Sequence, residues 1–287
     1  MSAIRLAKKA TEGQSMPATP AARSRALPDW LPWLISVVVL LASLEFGTRF
    51  FAVPRYIVPP PSAVFDALVR GFSTPLTARD GYYIHLGTTL LEALLGFTIG
   101  SVFGIGVGAT VNHVPIVKRI LVPYLIAIQS LPKIAIAPLL IVWFGFGIES
   151  KIVMGVLLTF FPLLINTMAG LEGVEPERLE LMKSLKAGDW KTFRLVKFPS
   201  ALPFIFAGLE MGAAYSVLGA VVGEFIGGQS GMGVLILNMN ASMDIAGTFS
   251  ALVILGAVGI AIGRALGVVR KRVLFWAPSV EDAISRR

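Results

Sequence analysis

Cysteine is missing from these 287 residues, so disulfides and thiolate-bound metals or clusters are excluded. Histidine is scarce. His85 and His113 stand far apart with no ligand-like spacing, and no metal or haem site is expected. Charge is thin as well: 15% of residues are charged against 55% hydrophobic. A soluble domain of this size needs more charge to cover its surface. No GxxxxGK[ST] run occurs, so no nucleotide-binding loop is expected in this chain, no cofactor, and no enzymatic activity of its own.

What the sequence has in quantity is long apolar runs. Six are long enough to span a bilayer, and together with their loops they use up the length in one bundle. The spans are expected at Leu31 to Val53, Tyr83 to Val111, Val122 to Phe144, Lys151 to Leu171, Ala201 to Ile226 and Thr248 to Val269. The fold class is therefore an all-α membrane protein of about six transmembrane helices. A polar, basic tail over 1–29, rich in Ala, Ser, Thr and Pro, reads as disordered. The run after it reads as a retained first helix rather than a signal peptide. The membrane domain then covers 30–275, and a short tail covers 276–287.

The net charge of +8 could suggest nucleic acid, but its distribution points to lipid instead. Lys and Arg gather in the first tail, after span two (Lys118, Arg119), after span four (Arg178 to Lys197) and after span six. The opposite loops hold few: Arg55, Arg70, Arg79 and Lys151. By the positive-inside rule both termini are cytoplasmic, as an even number of spans requires.

Glycine recurs every fourth residue at Gly96 to Gly108, Gly219 to Gly227 and Gly259 to Gly267. Each strip makes a flat helix face where a neighbouring backbone can approach. After span one, Pro59-Pro60-Pro61-Ser62 opens a short amphipathic stretch, and Ser62 can cap a helix there.

The loop over 172–200 is the most specific feature. Pro176 suits a first helical turn, and Leu179, Met182 and Leu185 share one face. Gly188 breaks that helix, Asp189 can cap a second one, and Pro199 and Pro203 end it. Two amphipathic helices in a basic loop suit either a protein partner or the lipid headgroups. Inside the spans, ionisable and amide groups are functional candidates. Lys133 follows Gln129, Ser130 and Pro132, where span three should break and expose backbone to a pathway. Lys133 could meet an anionic substrate, or pair with Glu92 or Glu210. Asn166, Glu210 and Glu224 complete the candidate translocation residues.

The loop resembles the EAA motif of binding-protein-dependent ABC importer permeases: Glu-Ala-Ala, three residues, Gly, nine residues, Ile, any residue, Leu-Pro. Glu180 falls on the Glu, Leu181 and Met182 on the alanines, Lys186 on the glycine, Val196 on the Ile, and Phe198-Pro199 on Leu-Pro. Leu185-Lys186-Ala187 with Trp190 is similar to the family's Leu-Gly-Ala…Trp. The segments TTLLEALLGFTIGSVFGIGVG, LPKIAIAPLLIVWFGFGIESKI and VVGEFIGGQSGMGVLI resemble the sulfonate, taurine and nitrate permeases.

The resemblance implies a MetI-like permease fold in a bacterial inner membrane. It further implies a homodimer with two ATP-binding-cassette ATPase subunits, a periplasmic substrate-binding protein outside, and ATP bound by the partner. The solute would be small and anionic or aromatic: a sulfonate, taurine, nitrate or a pyrimidine precursor. Coupling to the ATPase would rest on Glu180, Lys183, Lys186, Ala187, Gly188, Trp190, Val196 and Pro199. The rival reading is a stand-alone secondary transporter or channel, although no internal repeat is evident.

Overall fold

The computed structural model describes residues 30–54, 56–76, 78 and 81–276. The tail over 1–29 and the last tail apart from Trp276 lie outside the described residues, as do Arg55 and Arg79. All regular structure among the described residues is helical. The chain forms two compact units, one ending at Gly47 and the next beginning at Thr48.

Helix α1, Trp30–Phe50, is apolar all round until Glu45 and Arg49 near its end, the pattern of a helix solvated by lipid. Its 21 residues rise about 32 Å, close to the thickness of a hydrocarbon core.

The second unit begins with α2, Pro61–Phe72. Pro61 takes the first helical position, where its missing N–H costs nothing, so Pro60 rather than Ser62 precedes the helix. Ser62 thus lies inside the first turn and caps nothing; its hydroxyl accepts a hydrogen bond from the Arg49 guanidinium at 3.3 Å. Then follow α3 (Tyr82–His113), α4 (Pro115–Gln129), a 3-10 turn (Lys133–Ile136), α5 (Ala137–Phe144) and α6 (Ile148–Glu172). The chain continues as α7 (Pro176–Ser184), α8 (Asp189–Thr192), a π-turn (Phe193–Lys197), α9 (Phe198–Gly227), α10 (Met232–Ala241) and α11 (Ile245–Val273).

Helices α3, α6 and α9 form the centre, and glycine sets their register. A Cβ on Gly96 would lie 3.0 Å from the Cα of Gly155. One on Gly100 would lie 2.8 Å from Thr159 Cβ, and one on Gly108 2.9 Å from Thr167 Cβ. Rising numbers meet rising numbers, so α3 and α6 are parallel. On the other side of α6, Gly219 meets Gly155 at 2.8 Å and Gly170 meets Ala201 at 2.9 Å, so α9 is antiparallel. Three backbones therefore converge at Gly155. The strip on α11 behaves differently: a Cβ on Gly259, Gly263 or Gly267 would meet nothing within 4 Å among the described residues. That helix packs through Gly247, Ser250, Ala251 and Ile254, another face near its start.

Parallel α3 and α6 require one crossing between them. It is made by α4 and by the 3-10 turn with α5, two apolar pieces bent by 83° at the intervening break. The break expected near Pro132 is there: proline lacks an N–H and disfavours helix in the preceding residue. The first half begins at Pro115 rather than Val122, again with proline at the first helical position. Five unbroken helices are long and apolar enough to cross a membrane, six crossings with the bent pair.

Candidate functional site

The loop between α6 and α9 is built by capping chemistry. α7 ends at Ser184, one turn earlier than a break at Gly188 would place it. Lys186 adopts a left-handed backbone at φ +50. Its N–H bonds the Lys183 carbonyl (2.9 Å), and the Ala187 N–H bonds the Met182 carbonyl (3.0 Å). This pair of bonds is a Schellman C-cap, whose left-handed position glycine normally fills. Lys186 stands where the importer motif has its glycine, and the loop accepts a strained lysine there. Leu185 consequently leaves the helix face shared by Leu179 and Met182 and is exposed.

Asp189 opens α8 without capping it; Gly188 holds the cap position. Pro199 and Pro203 do not end the helix. Residues Asp189–Gly227 run on as one helix. The π-turn at Phe193–Lys197 widens the spiral just where Pro199 cannot donate. Trp190 is 70% exposed and stacks on Phe193 at 5.7 Å. The Phe193 ring in turn meets His113 at the end of α3. Glu180, Lys183 and Gly188 are exposed, and Ala187 is half-buried. Val196 and Pro199 line a cavity of about 580 Å³ beside Met182 and Trp276. The loop thus offers charge and one aromatic outward while Met182 and Phe193 root it in the bundle.

The second feature lies at the bend of the broken span. A cavity of about 480 Å³ is bounded by Gln129, Lys133, Phe161, Asn166, Met211 and Tyr215, with aliphatic side chains between them. Lys133 Nζ donates to the Gln129 carbonyl (3.0 Å) and sits 4.7 Å from the centre of the Phe161 ring. Neither Glu92 nor Glu210 pairs with it. Asn166 donates one amide proton to the Pro162 carbonyl (2.8 Å), leaving its carbonyl oxygen unspent. A neighbouring cavity of about 470 Å³ shares Gln129 and Ile165 and continues between α4 and α6 to Glu172. There Glu172 pairs with Lys118 at 2.9 Å.

Glu210 and Glu224, candidates for the same pathway by sequence, lie away from this cavity. Glu210 faces α11 and meets Arg270 at 3.4 Å. Glu224 is 1% exposed and belongs to a different cluster. Its carboxylate accepts from Thr89 Oγ1 (2.6 Å) and from the Gly233 N–H (2.5 Å). The Met232 N–H donates to Thr89 Oγ1 (2.8 Å). His85 Nδ1 lies 3.0 Å from both the amide nitrogen and the carbonyl oxygen of Gly231. These groups satisfy the first N–H groups of α10, which no residue of the helix itself can do. Gly231, at φ +122 and pressed against the Glu224 carboxylate, has no room for a side chain.

Lys151 completes the cluster. Only 2% exposed, it donates to the carbonyls of Phe146 (2.6 Å), Gly147 (2.8 Å) and Gly227 (2.7 Å). Glu92 is an electrostatic neighbour of both Glu224 and Lys151. The signal that could have found this latch was present: five polar groups inside apolar runs, all near one end of their spans.

The chain matches the family model described as "Binding-protein-dependent transport system inner membrane component" over residues 100–274. It is similar to the riboflavin transport system permease protein RibX of Chloroflexus aurantiacus, 32% identical over 93% of this chain and 99% of the relative. It is also similar to the formylaminopyrimidine transport permease protein ThiX of Halalkalibacterium halodurans, 31% identical over 83% and 93%. The taurine transport system permease protein TauC of Escherichia coli is 27% identical over 86% and 88%.

Proposed function

Since the chain belongs to the ABC transporter permeases of binding-protein-dependent transport systems, we propose that it forms one half of an ATP-driven importer. Two copies pair, and an ATP-binding-cassette subunit docks on each. A binding protein delivers the solute on the outer face, and both termini lie in the cytoplasm. The chain is a multi-pass inner-membrane permease; it moves solute and makes no bond.

The observation that supports this reading most directly is the loop from α7 to α9. Its exposed groups, Glu180, Lys183 and Trp190, stand on a Schellman-capped turn continuous with a membrane helix. Lys186, Ala187 and Gly188 make the turn itself. Val196 and Pro199 brace it from behind. An ATPase that closes on nucleotide would press this turn and rock α9 with it. Gln129, Lys133 and Asn166 then line the passage, and the solute is a small anion or aromatic. The relatives similar to this chain carry the names of a flavin, a pyrimidine and a sulfonate.

The test is reconstitution with the ATPase and binding protein in liposomes. Glu180→Lys should abolish ATP-dependent uptake while membrane insertion stays normal. Undiminished uptake by that variant would overturn the coupling role. Transport by the chain alone, without the ATPase, would favour a secondary transporter or channel.

A further inference from the structure

We propose that the cavity at the bend between α4 and the 3-10 turn is a transit site for a planar heteroaromatic solute bearing a carbonyl or carboxylate edge. This rests on the importer reading and narrows its substrate class.

Three features of the lining carry the choice. The first is charge. No Asp or Glu borders the cavity, so the ammonium of a zwitterion such as taurine would find no carboxylate. Lys133 itself has no carboxylate within ion-pair reach among the described residues, and its contacts are a backbone carbonyl and the Phe161 ring. It keeps protons to give to an acceptor edge.

The second is the count of donors. An acceptor edge must be met by donors, since burying it without them is costly. Here Lys133 has already given one proton to Gln129, and Asn166 has given one to Pro162. The Gln129 carboxamide and the Tyr215 hydroxyl line the cavity and have no hydrogen-bond partner among the described residues. Two protons of Lys133, one of Asn166, two of Gln129 and one of Tyr215 therefore remain to meet the acceptor edge of a solute.

The third is shape and wall chemistry. The volume of about 480 Å³ is in the range of organic ligands. A nitrate-sized ion, about the volume of one or two waters at roughly 30 Å³ each, would leave most of it wet. Phe161, Tyr215 and Met211 offer the flat and polarisable surfaces on which a ring stacks.

Because the chain has no cysteine, one introduced thiol reports on the site. Ile165 lines both cavities and is exposed. The complete transporter carrying Ile165→Cys is treated with a small methanethiosulfonate, and labelling of the permease chain is followed by mass spectrometry without nucleotide. Lumichrome, uracil and nicotinate are compared with taurine and methanesulfonate as protectants. At least one heteroaromatic should slow labelling about tenfold, the weight of one strong contact. The sulfonates should leave it unchanged. Lys133→Met should remove the protection and Lys133→Arg should restore it.

Equal or better protection by a sulfonate would overturn the proposal. So would failure of every heteroaromatic, or protection that survives Lys133→Met. ATP-driven uptake is measured on the same vesicles. Protection with no ATP-driven uptake would sink the importer reading and leave the site standing.

Discussion

Lys151 and Lys133 are both lysines of an apolar bundle, the first buried and the second half-buried, and their surroundings are opposite. Lys151 is spent: three backbone carbonyls from two segments take its three protons. It also faces Glu92 and Glu224. Lys133 gives one proton to a carbonyl on its own turn and rests on a ring. The first closes the end of α9 against the start of α6. The second stands at the rim of an open cavity. A cation in an apolar bundle is therefore not a functional mark by itself; what separates the two is how many of its donors the fold has already used.

The contrast can be broken most sharply at Lys151. Lys151→Met should cost about 3–5 kcal/mol, because it strands buried acceptors and a carboxylate pair. Thermal unfolding in detergent would show this, and a melting temperature near that of the parent would erase the distinction. The packing at the same level should be nearly as intolerant. Gly219→Ala brings a Cβ to 2.8 Å from the Gly155 backbone and should cost about 1–3 kcal/mol. Gly259→Ala, facing open space, should be neutral or slightly favourable.

A third lysine gives the scale from the other direction. Lys186→Gly relieves a left-handed residue and should raise stability by about 1 kcal/mol. An unchanged unfolding temperature would mean that the turn relaxes some other way. Small in stability too is Lys133→Met, expected within about 0.5 kcal/mol of the parent. Its effect should appear in solute uptake instead, and a large loss of stability would make it a second Lys151.

Much of the fold was legible because lipid imposes simple rules. Apolar length gave the spans, and Pro132 gave the break. Glycine spacing gave the faces of α3 and α9. The same pattern on α11 finds no neighbour among the described residues, since a strip says that a backbone can approach and not that one does. The loop was legible from the importer motif, but the role of its glycine position was not. Only the φ of Lys186 shows that the position serves a turn. The latch around Glu224 was illegible for a different reason. Thr89, Lys151, Glu224 and Gly231 lie on four separate segments, and their pairing exists only after α3, α6, α9 and α10 have packed. Read singly, Glu224 looked like a pathway carboxylate and Lys151 like a loop cation.

The uninterrupted helix from Asp189 to Gly227 has a mechanical meaning. Its 39 residues make a rod of roughly 58 Å at 1.5 Å per residue. Trp190 sits at one tip and Glu224 close to the other. The two prolines fall in the first half of the rod, and neither breaks it. One unbroken helix thus joins the exposed tryptophan that follows the Lys186 turn to the carboxylate that caps α10.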